Sequence, residues 1–120
     1  MSEIKDKKHG KTLFYIEGNE IKDKKHGTTL FYIDGSEVKE KSKHGTHKFY
    51  IDGNEIKEKS KHGSIRYYVD GNEVKDKSKH GSLRYYIDSS EIKDKKHGNV
   101  KYFIDGALTR DQLYGFISII

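Results

Sequence analysis

The sequence predicts an all-β fold, an antiparallel β-meander of about twelve strands built from hairpin repeats of 17–18 residues, with a short C-terminal capping helix. Three observations predict it. The pair His-Gly recurs at near-constant intervals, a spacing typical of repeat architectures. Each repeat contains a run of aromatic and β-branched residues bounded by glycine, as strands do. After residue 106 the pattern changes to helical spacing. The histidines of these pairs are His9, His26, His44, His62, His80 and His97.

The first turn of each repeat sets the strand register. It reads Asp-Gly-Asn-Glu or a close variant, as in Asp34 to Glu37. With Gly35 and Ser36 as the two loop residues, a type II′ turn needs positive φ at the glycine. This turn pairs Ile33 with Val38 and Phe31 with Glu40. Tyr32 then lies opposite Lys39 on the other face of the sheet.

The second turn of each repeat contains the His-Gly pair. The 17-residue repeats are expected to use a three-residue Lys-His-Gly loop, and the 18-residue repeats a four-residue Ser-Lys-His-Gly loop. Both lengths keep the aromatic column on one face, and glycine is expected in the left-handed position that closes such loops. The first strand is then Glu3–Lys7 and the twelfth is Val100–Asp105. Both are expected to be edge strands.

The C-terminal segment predicts a helix over Thr109–Ile120. Thr109 and Gln112 form a capping box, and Leu108 and Leu113 are placed as a hydrophobic staple. Leu113, Phe116, Ile117 and Ile120 follow at helical spacing as one apolar stripe. The chain is therefore divided into a repeat array, residues 1–106, and an amphipathic helix, residues 107–120, that folds over the apolar face.

The sizes of sheet and helix do not match. Twelve strands at ~4.8 Å spacing span ~58 Å, whereas the helix spans only ~16 Å. The exposed apolar rows must be covered by curling of the sheet, by a second copy, or by a partner, so a homodimer or a protein complex is expected. The main hypothesis is a non-enzymatic structural or protein-interaction module. Its candidate interface residues are Phe14, Phe31, Phe49, Tyr67, Tyr85, Tyr102, Leu113, Phe116 and Ile117.

A second hypothesis uses the other face, where tyrosines alternate with basic side chains. This face suits stacking on sugars or bases and contacts to anionic groups. The alternative function is therefore binding of a carbohydrate or polyanion, with a solvated face of Tyr–Lys pairs as the simpler structural explanation. The candidate residues are Lys48, Tyr50, Arg66, Tyr68, Arg84 and Tyr86.

Composition and spacing argue against other functions. The net charge of +5 comes from interleaved signs, so nucleic acid is not favoured as a partner. No nucleophile triad, phosphate loop or dinucleotide motif occurs, and an enzyme is not expected. Turn histidines one repeat apart lie ~10 Å from each other in a meander, too far to share an ion, although a solenoid would stack them. Positive φ at these histidines would explain their recurrence.

The remaining expectations concern cofactors and location. The acidic column beside each hairpin turn, from Glu17 to Asp105, is interpreted as turn chemistry rather than catalysis or calcium binding. No metal or cofactor is expected. The N-terminus lacks an apolar signal region, and Leu113–Ile120 is too short to cross a bilayer, so a membrane is not favoured as a partner. The chain has no cysteine, which leaves the compartment open.

The unit Tyr-Tyr-Val-Asp-Gly-Asn-Glu-Val, from Tyr67 to Val74, resembles the variant MORN-type repeats of bacterial proteins. That resemblance covers roughly residues 3–106 and implies stacked hairpins that act as a scaffold for protein or lipid contacts. The glycine-rich second half of the usual motif is replaced here by Lys-Asp-Lys-Lys-His-Gly. The aromatic hairpins are also similar to choline-binding and cell-wall-binding repeats, although those use tryptophan and this chain has none.

Overall fold

The chain forms a twelve-stranded antiparallel meander that closes into a barrel around its C-terminal helix. The computed structural model describes all 120 residues. Every strand pairs with its neighbours in sequence, and β1 pairs with β12 to close the ring. The elements are β1 (Ser2–Lys5), β2 (Thr12–Glu17), β3 (Glu20–Lys22), β4 (Thr29–Asp34), β5 (Glu37–Glu40), β6 (His47–Asp52), β7 (Glu55–Glu58), β8 (Ile65–Asp70), β9 (Glu73–Asp76), β10 (Leu83–Asp88), β11 (Glu91–Lys93), β12 (Val100–Asp105) and α1 (Arg110–Ile119).

The register within each hairpin is the one predicted from the turn. Phe31 lies opposite Glu40, Tyr32 opposite Lys39, and Ile33 opposite Val38. Positive φ occurs at the first loop residue of these turns, 61° at Gly35 and 57° at Ser89, as type II′ geometry requires. The aromatic and Ile/Val columns therefore share one face, which becomes the lumen of the barrel.

The loops that contain His-Gly differ from the prediction. All six span six residues, 6–11, 23–28, 41–46, 59–64, 77–82 and 94–99, and a register shift lies beside each one. The extra residue of the 18-residue repeats extends the preceding strand instead of the loop. It is accommodated by positive φ at Lys41, Lys59 and Lys77.

The loop glycines are also required for a different reason than predicted. None of the His-Gly glycines lies in the left-handed region, and neither do the histidines. A Cβ atom at Gly45 would instead collide with the main-chain carbonyl oxygen of Glu40, and one at Gly10 with the carboxylate of Asp6. Glycine is needed here because the loop passes close to the end of the preceding strand.

The two terminal strands are not edges. β1 begins at Ser2 rather than Glu3, and Ile4 lies opposite Ile104 while Lys5 lies opposite Phe103. This pairing repeats the register of Ile33 with Val38 and of Tyr32 with Lys39. β12 and β1 thus form the two halves of a sixth hairpin that lacks a connecting turn, which is the reason the ring closes without a mismatch.

The dimensions of the barrel explain why the helix lies inside it. Twelve tilted strands enclose a ring about 24 Å across, wider than inward side chains fill by themselves. A helix is about 10–12 Å wide, which leaves one layer of side chains on each side. The barrel is shallow, with a shortest extent of 17 Å, and the ten helical residues span a similar height.

The helix begins as the sequence predicts. The main-chain N–H of Gln112 donates to Oγ1 of Thr109, 3.1 Å away, and the N–H of Thr109 donates to Oε1 of Gln112. Leu108 and Leu113 pack against the same core cluster. The helix lies against the apolar face of the sheet, as predicted, and because that face lines a closed barrel the sheet surrounds the helix. The helix is buried on all sides over four consecutive residues, Gly115, Phe116, Ile117 and Ser118.

Two polar contacts fix the helix N-terminus at one end of the barrel. Nε2 of Gln112 donates to the carbonyl oxygen of Gly18, and the guanidinium of Arg110 donates to that of Gly53. Both glycines lie in tight turns, so this end is called the turn mouth. The opposite end, where all six His-Gly loops lie, is called the loop mouth. The carbonyl oxygen of Ile120 accepts a hydrogen bond from the Tyr85 hydroxyl at 3.3 Å.

The core is small and made mostly of β-branched residues. One cluster contains Phe116 and the other contains Ile117. The helix lies between the two clusters, and its Leu113 and Ile119 pack against both. The ring of Phe116 packs edge-on against Phe14 and Tyr102, with centroids 5.5 and 5.4 Å away. The low apolar fraction of the sequence is compatible with order, because the Ile/Val column and one of the two aromatic columns share a single lumen. No helix in the structure is long and apolar enough to span a bilayer.

Candidate functional site

The outer wall of the barrel carries a belt of ion pairs. In each repeat, one lysine lies opposite an aromatic residue of the preceding strand and beside a carboxylate at the turn. The ammonium of Lys39 donates to Asp34 at 3.1 Å, which raises the pKa of Lys39 and lowers the pKa of Asp34. Across the closing seam, Lys5 and Asp105 make the same pair at 3.0 Å. The belt lysines are Lys5, Lys22, Lys39, Lys57, Lys75 and Lys93.

This belt is a poor site for an anionic ligand. Its lysine side chains are only 11–20% exposed, and each has a carboxylate partner on its own or the adjacent strand. Lys39 also donates to the carbonyl oxygen of Lys43, which ties the belt to the loop above it. The outer tyrosines and lysines therefore stabilise the barrel wall as cross-strand pairs.

The candidate ligand face is divided by the structure. Tyr50, Tyr68 and Tyr86 lie on the outer wall opposite belt lysines. The basic candidates Lys48, Arg66 and Arg84 lie at the irregular positions beside the register shifts of β6, β8 and β10. At these bulges the side chains no longer alternate strictly between the inner and outer faces of the sheet.

Arg66 shows where the bulge directs its side chain. Its guanidinium carbon is 5.2 Å from the ring centroid of Phe49 and 4.9 Å from that of Tyr67, and both rings face the lumen. Arg66 therefore lies against rings of the lumen, whereas the sequence predicts one face that it shares with the outer tyrosines. The reason is that a bulge cannot be seen from the spacing of the aromatic columns alone.

The candidate interface residues also have a clear location. The six aromatic residues from Phe14 to Tyr102 line the lumen near the loop mouth and pack against the two clusters around the helix. The same clusters include Leu113, Phe116 and Ile117 of the helix. The apolar face is therefore covered within the chain by the closed sheet and its own helix.

The loop mouth concentrates positive charge. The six loop segments contain thirteen of the 24 basic residues but three of the 19 acidic residues, Asp6, Asp23 and Asp94. The histidines of the six His-Gly pairs lie in the same loops and are exposed. No group of three or more metal-ligating side chains is close enough to hold an ion. Basic and acidic residues alternate along the sequence, but in the structure more than half of the basic residues lie together at the loop mouth.

A cavity of about 300 Å³ lies at the loop mouth between β7 and β10. Ser64, Ile65 and Tyr67 form part of its wall. The other five lining residues are charged: Glu58, Arg66, Asp76, Lys77 and Arg84. Nη1 of Arg66 is 3.6 Å from Glu58, and Nε of Arg84 is 3.8 Å from Asp76. The Asp76 carboxylate raises the pKa of Arg84. Both distances exceed those of good hydrogen bonds.

The neighbouring phenols belong to the lumen. Tyr67 and Tyr85 pack edge-to-face with centroids 6.3 Å apart. Burial raises the pKa of Tyr85 and of Tyr102, so both stay protonated in the barrel interior. Neither Tyr85 nor Tyr102 is among the residues that line the cavity.

The sequence singles out Arg66, Arg84 and Tyr67 of this cavity as candidate residues, but neither its other five lining residues nor their arrangement. The available signal was alternation of connections in a meander, which sends every second loop to the same end. Applied to the repeat, that rule would have placed all six lysine-rich loops together. Comparisons with protein-family models, curated proteins and solved structures gave no match. The MORN-type and cell-wall-binding resemblances therefore stay predictions.

Proposed function

We propose that the chain is a non-enzymatic structural and interaction module, a barrel filled by its own helix that presents six near-identical loops as one contact surface. The observation that carries this proposal is the burial of the apolar sheet face around Phe116 and Ile117. Because no large apolar patch is left outside, a partner must bind the polar exterior. The loop mouth is the part of that exterior with the most repeated chemistry.

Sedimentation velocity combined with small-angle scattering tests whether the chain covers its own apolar face. We expect a monomer of 13.9 kDa over a wide concentration range, with a compact profile close to the Cα radius of gyration of 13.7 Å. An elongated particle of about twice that mass would contradict the proposal. It would mean that two sheets cover each other, as a homodimer of open meanders would.

A second candidate function is binding of a linear polyanion such as a sulfated glycan. The concentration of lysines at the loop mouth favours it. In this proposal the contacts come from the loops rather than from the Tyr/Lys belt, because the belt lysines already have carboxylate partners. Binding would weaken steeply with added salt, since the contacts are electrostatic.

A charge reversal at two loops tests this second candidate. We expect the double variant Lys43→Glu with Lys61→Glu to bind labelled heparin at least tenfold more weakly in fluorescence anisotropy. The control places the same change in net charge at the turn mouth, through Asn19→Asp, Ser36→Asp, Asn54→Asp and Asn72→Asp, and should change the affinity less than threefold. Equal losses in the two variants would show that only net charge matters and would exclude the loop mouth as the binding surface.

A further inference from the structure

We propose that the cavity lined by Arg66 and Arg84 is a binding site for a phosphate group carried by a small molecule. This inference is independent of polyanion binding by the loops, because it rests on a bounded cavity and two guanidinium groups. A volume of about 300 Å³ is at the lower end of the range for small-molecule sites. It suits a compact ligand rather than a polymer.

The hydrogen-bonding capacity of Arg66 is the first argument. Its Nε is buried and has no hydrogen-bond partner. Its ion-pair partner, Glu58, is 3.6 Å from Nη1, too far for a good hydrogen bond. A buried donor of a charged group is costly to leave unpaired. An oxyanion bound in the cavity would give this guanidinium the close acceptor that it lacks.

Preorganisation of the arginine is the second argument. The guanidinium lies against the rings of Phe49 and Tyr67 within 5.2 Å of both centroids. Stacking of this kind restricts the side chain while leaving its in-plane donors available for bidentate contacts to an oxyanion. Arg84 on the next aromatic strand is about half exposed and supplies a second guanidinium to the same cavity.

The charge around the cavity favours a dianion. Arg66, Arg84 and Lys77 outnumber Glu58 and Asp76 in the lining, and the cavity lies at the end of the barrel where the lysine-rich loops are. The two carboxylates hold the arginines loosely, so a phosphate would share these donors with them. A phosphate gains more than a carboxylate from such a field because it carries more charge.

The repeats of the chain provide an internal comparison. A second cavity of about 240 Å³ lies at the equivalent place between β4 and β5. There Leu30 takes the position of Arg66, and Phe31 takes that of Tyr67. The two guanidiniums therefore distinguish this cavity from its equivalent, and the repeat pattern by itself does not require them.

Titration with inorganic phosphate, followed through the arginine Nε–H resonances in ¹H–¹⁵N spectra at constant ionic strength, tests the site. We expect saturable shifts of Arg66 and Arg84 at millimolar phosphate. The variant Arg66→Leu, which copies Leu30, should weaken phosphate binding at least tenfold. The control Lys48→Leu removes a bulge cation outside this cavity and should change the affinity less than twofold. Because Arg66→Leu could disturb packing on Phe49, the exposed Arg84→Gln supplies a second variant with the same expected loss.

Three results would overturn the proposal. Shifts that rise linearly without saturating would show only the diffuse field of the loop lysines. Acetate binding as tightly as phosphate would identify a carboxylate site instead. Unchanged phosphate affinity in Arg84→Gln, with an intact spectrum, would exclude the cavity. Heparin binding should survive Arg84→Gln, so failure of this site and failure of the loop surface are distinguishable.

Discussion

Replacing Phe116 with alanine is expected to lower the free energy of unfolding by about 3–5 kcal/mol, as truncation of a fully buried phenylalanine does. Phe116 has no exposed surface and packs edge-on against Phe14 and Tyr102. The barrel wall is continuous and cannot collapse onto the space that the ring leaves. Equilibrium unfolding in urea, followed by circular dichroism, measures the loss.

The control for this prediction is Phe103→Ala, the same substitution on the outer wall. Phe103 lies opposite Lys5 and Glu91 and is only partly buried, so its loss should cost about 1 kcal/mol or less. If Phe116→Ala costs no more than Phe103→Ala, the helix does not fill the lumen. Since domains of this size are stable by only about 5–15 kcal/mol, the two results are readily separated.

The second large effect concerns the seam between β1 and β12. Replacing Ile4 with alanine is expected to cost about 2–5 kcal/mol, because Ile4 is fully buried between Ile104 and Phe14. The matched control is Ile56→Ala, which removes the same side chain from the equivalent position in β7, far from the seam. Closure predicts that the two losses agree within about 1 kcal/mol.

An open meander predicts a different outcome at the seam. Ile4 would then lie on an edge strand with one neighbour, and its replacement would cost much less than that of Ile56. Comparison of the two alanine variants by urea unfolding therefore measures closure of the barrel directly. A much smaller loss at Ile4 than at Ile56 would contradict the closed ring.

The features that the sequence predicts correctly are those governed by local chemistry. The Asp-Gly-Ser-Glu turn at residue 34 determines the register of its hairpin, because a two-residue type II′ loop leaves only one pairing. Thr109 and Gln112 specify the helix start, because the capping box satisfies main-chain donors with side chains three residues apart. Both features were confirmed in the structure.

Other features depend on groups far apart in the sequence. Each of the six His-Gly loops has six residues and a bulge beside it, and the close approach of Gly45 to the Glu40 carbonyl is part of this geometry, which a loop count cannot reveal. The bulge in β8 places the Arg66 guanidinium against Phe49 and Tyr67 rather than beside the outer tyrosines. The pairing of Ile4 with Ile104 joins residues at the two ends of the repeat array, and no local pattern specifies it.

By itself, the sequence determined the strands, their pairing within hairpins, the face that each column shares and the presence of a capped helix. All of these follow from interactions between residues that are near in the chain. Only the tertiary structure decided that the sheet closes, that the helix fills the lumen, and that the interleaved charges separate towards one mouth. These depend on ring closure, since curvature accumulated over twelve strands brings β1 to β12 and leaves a space that a helix fits.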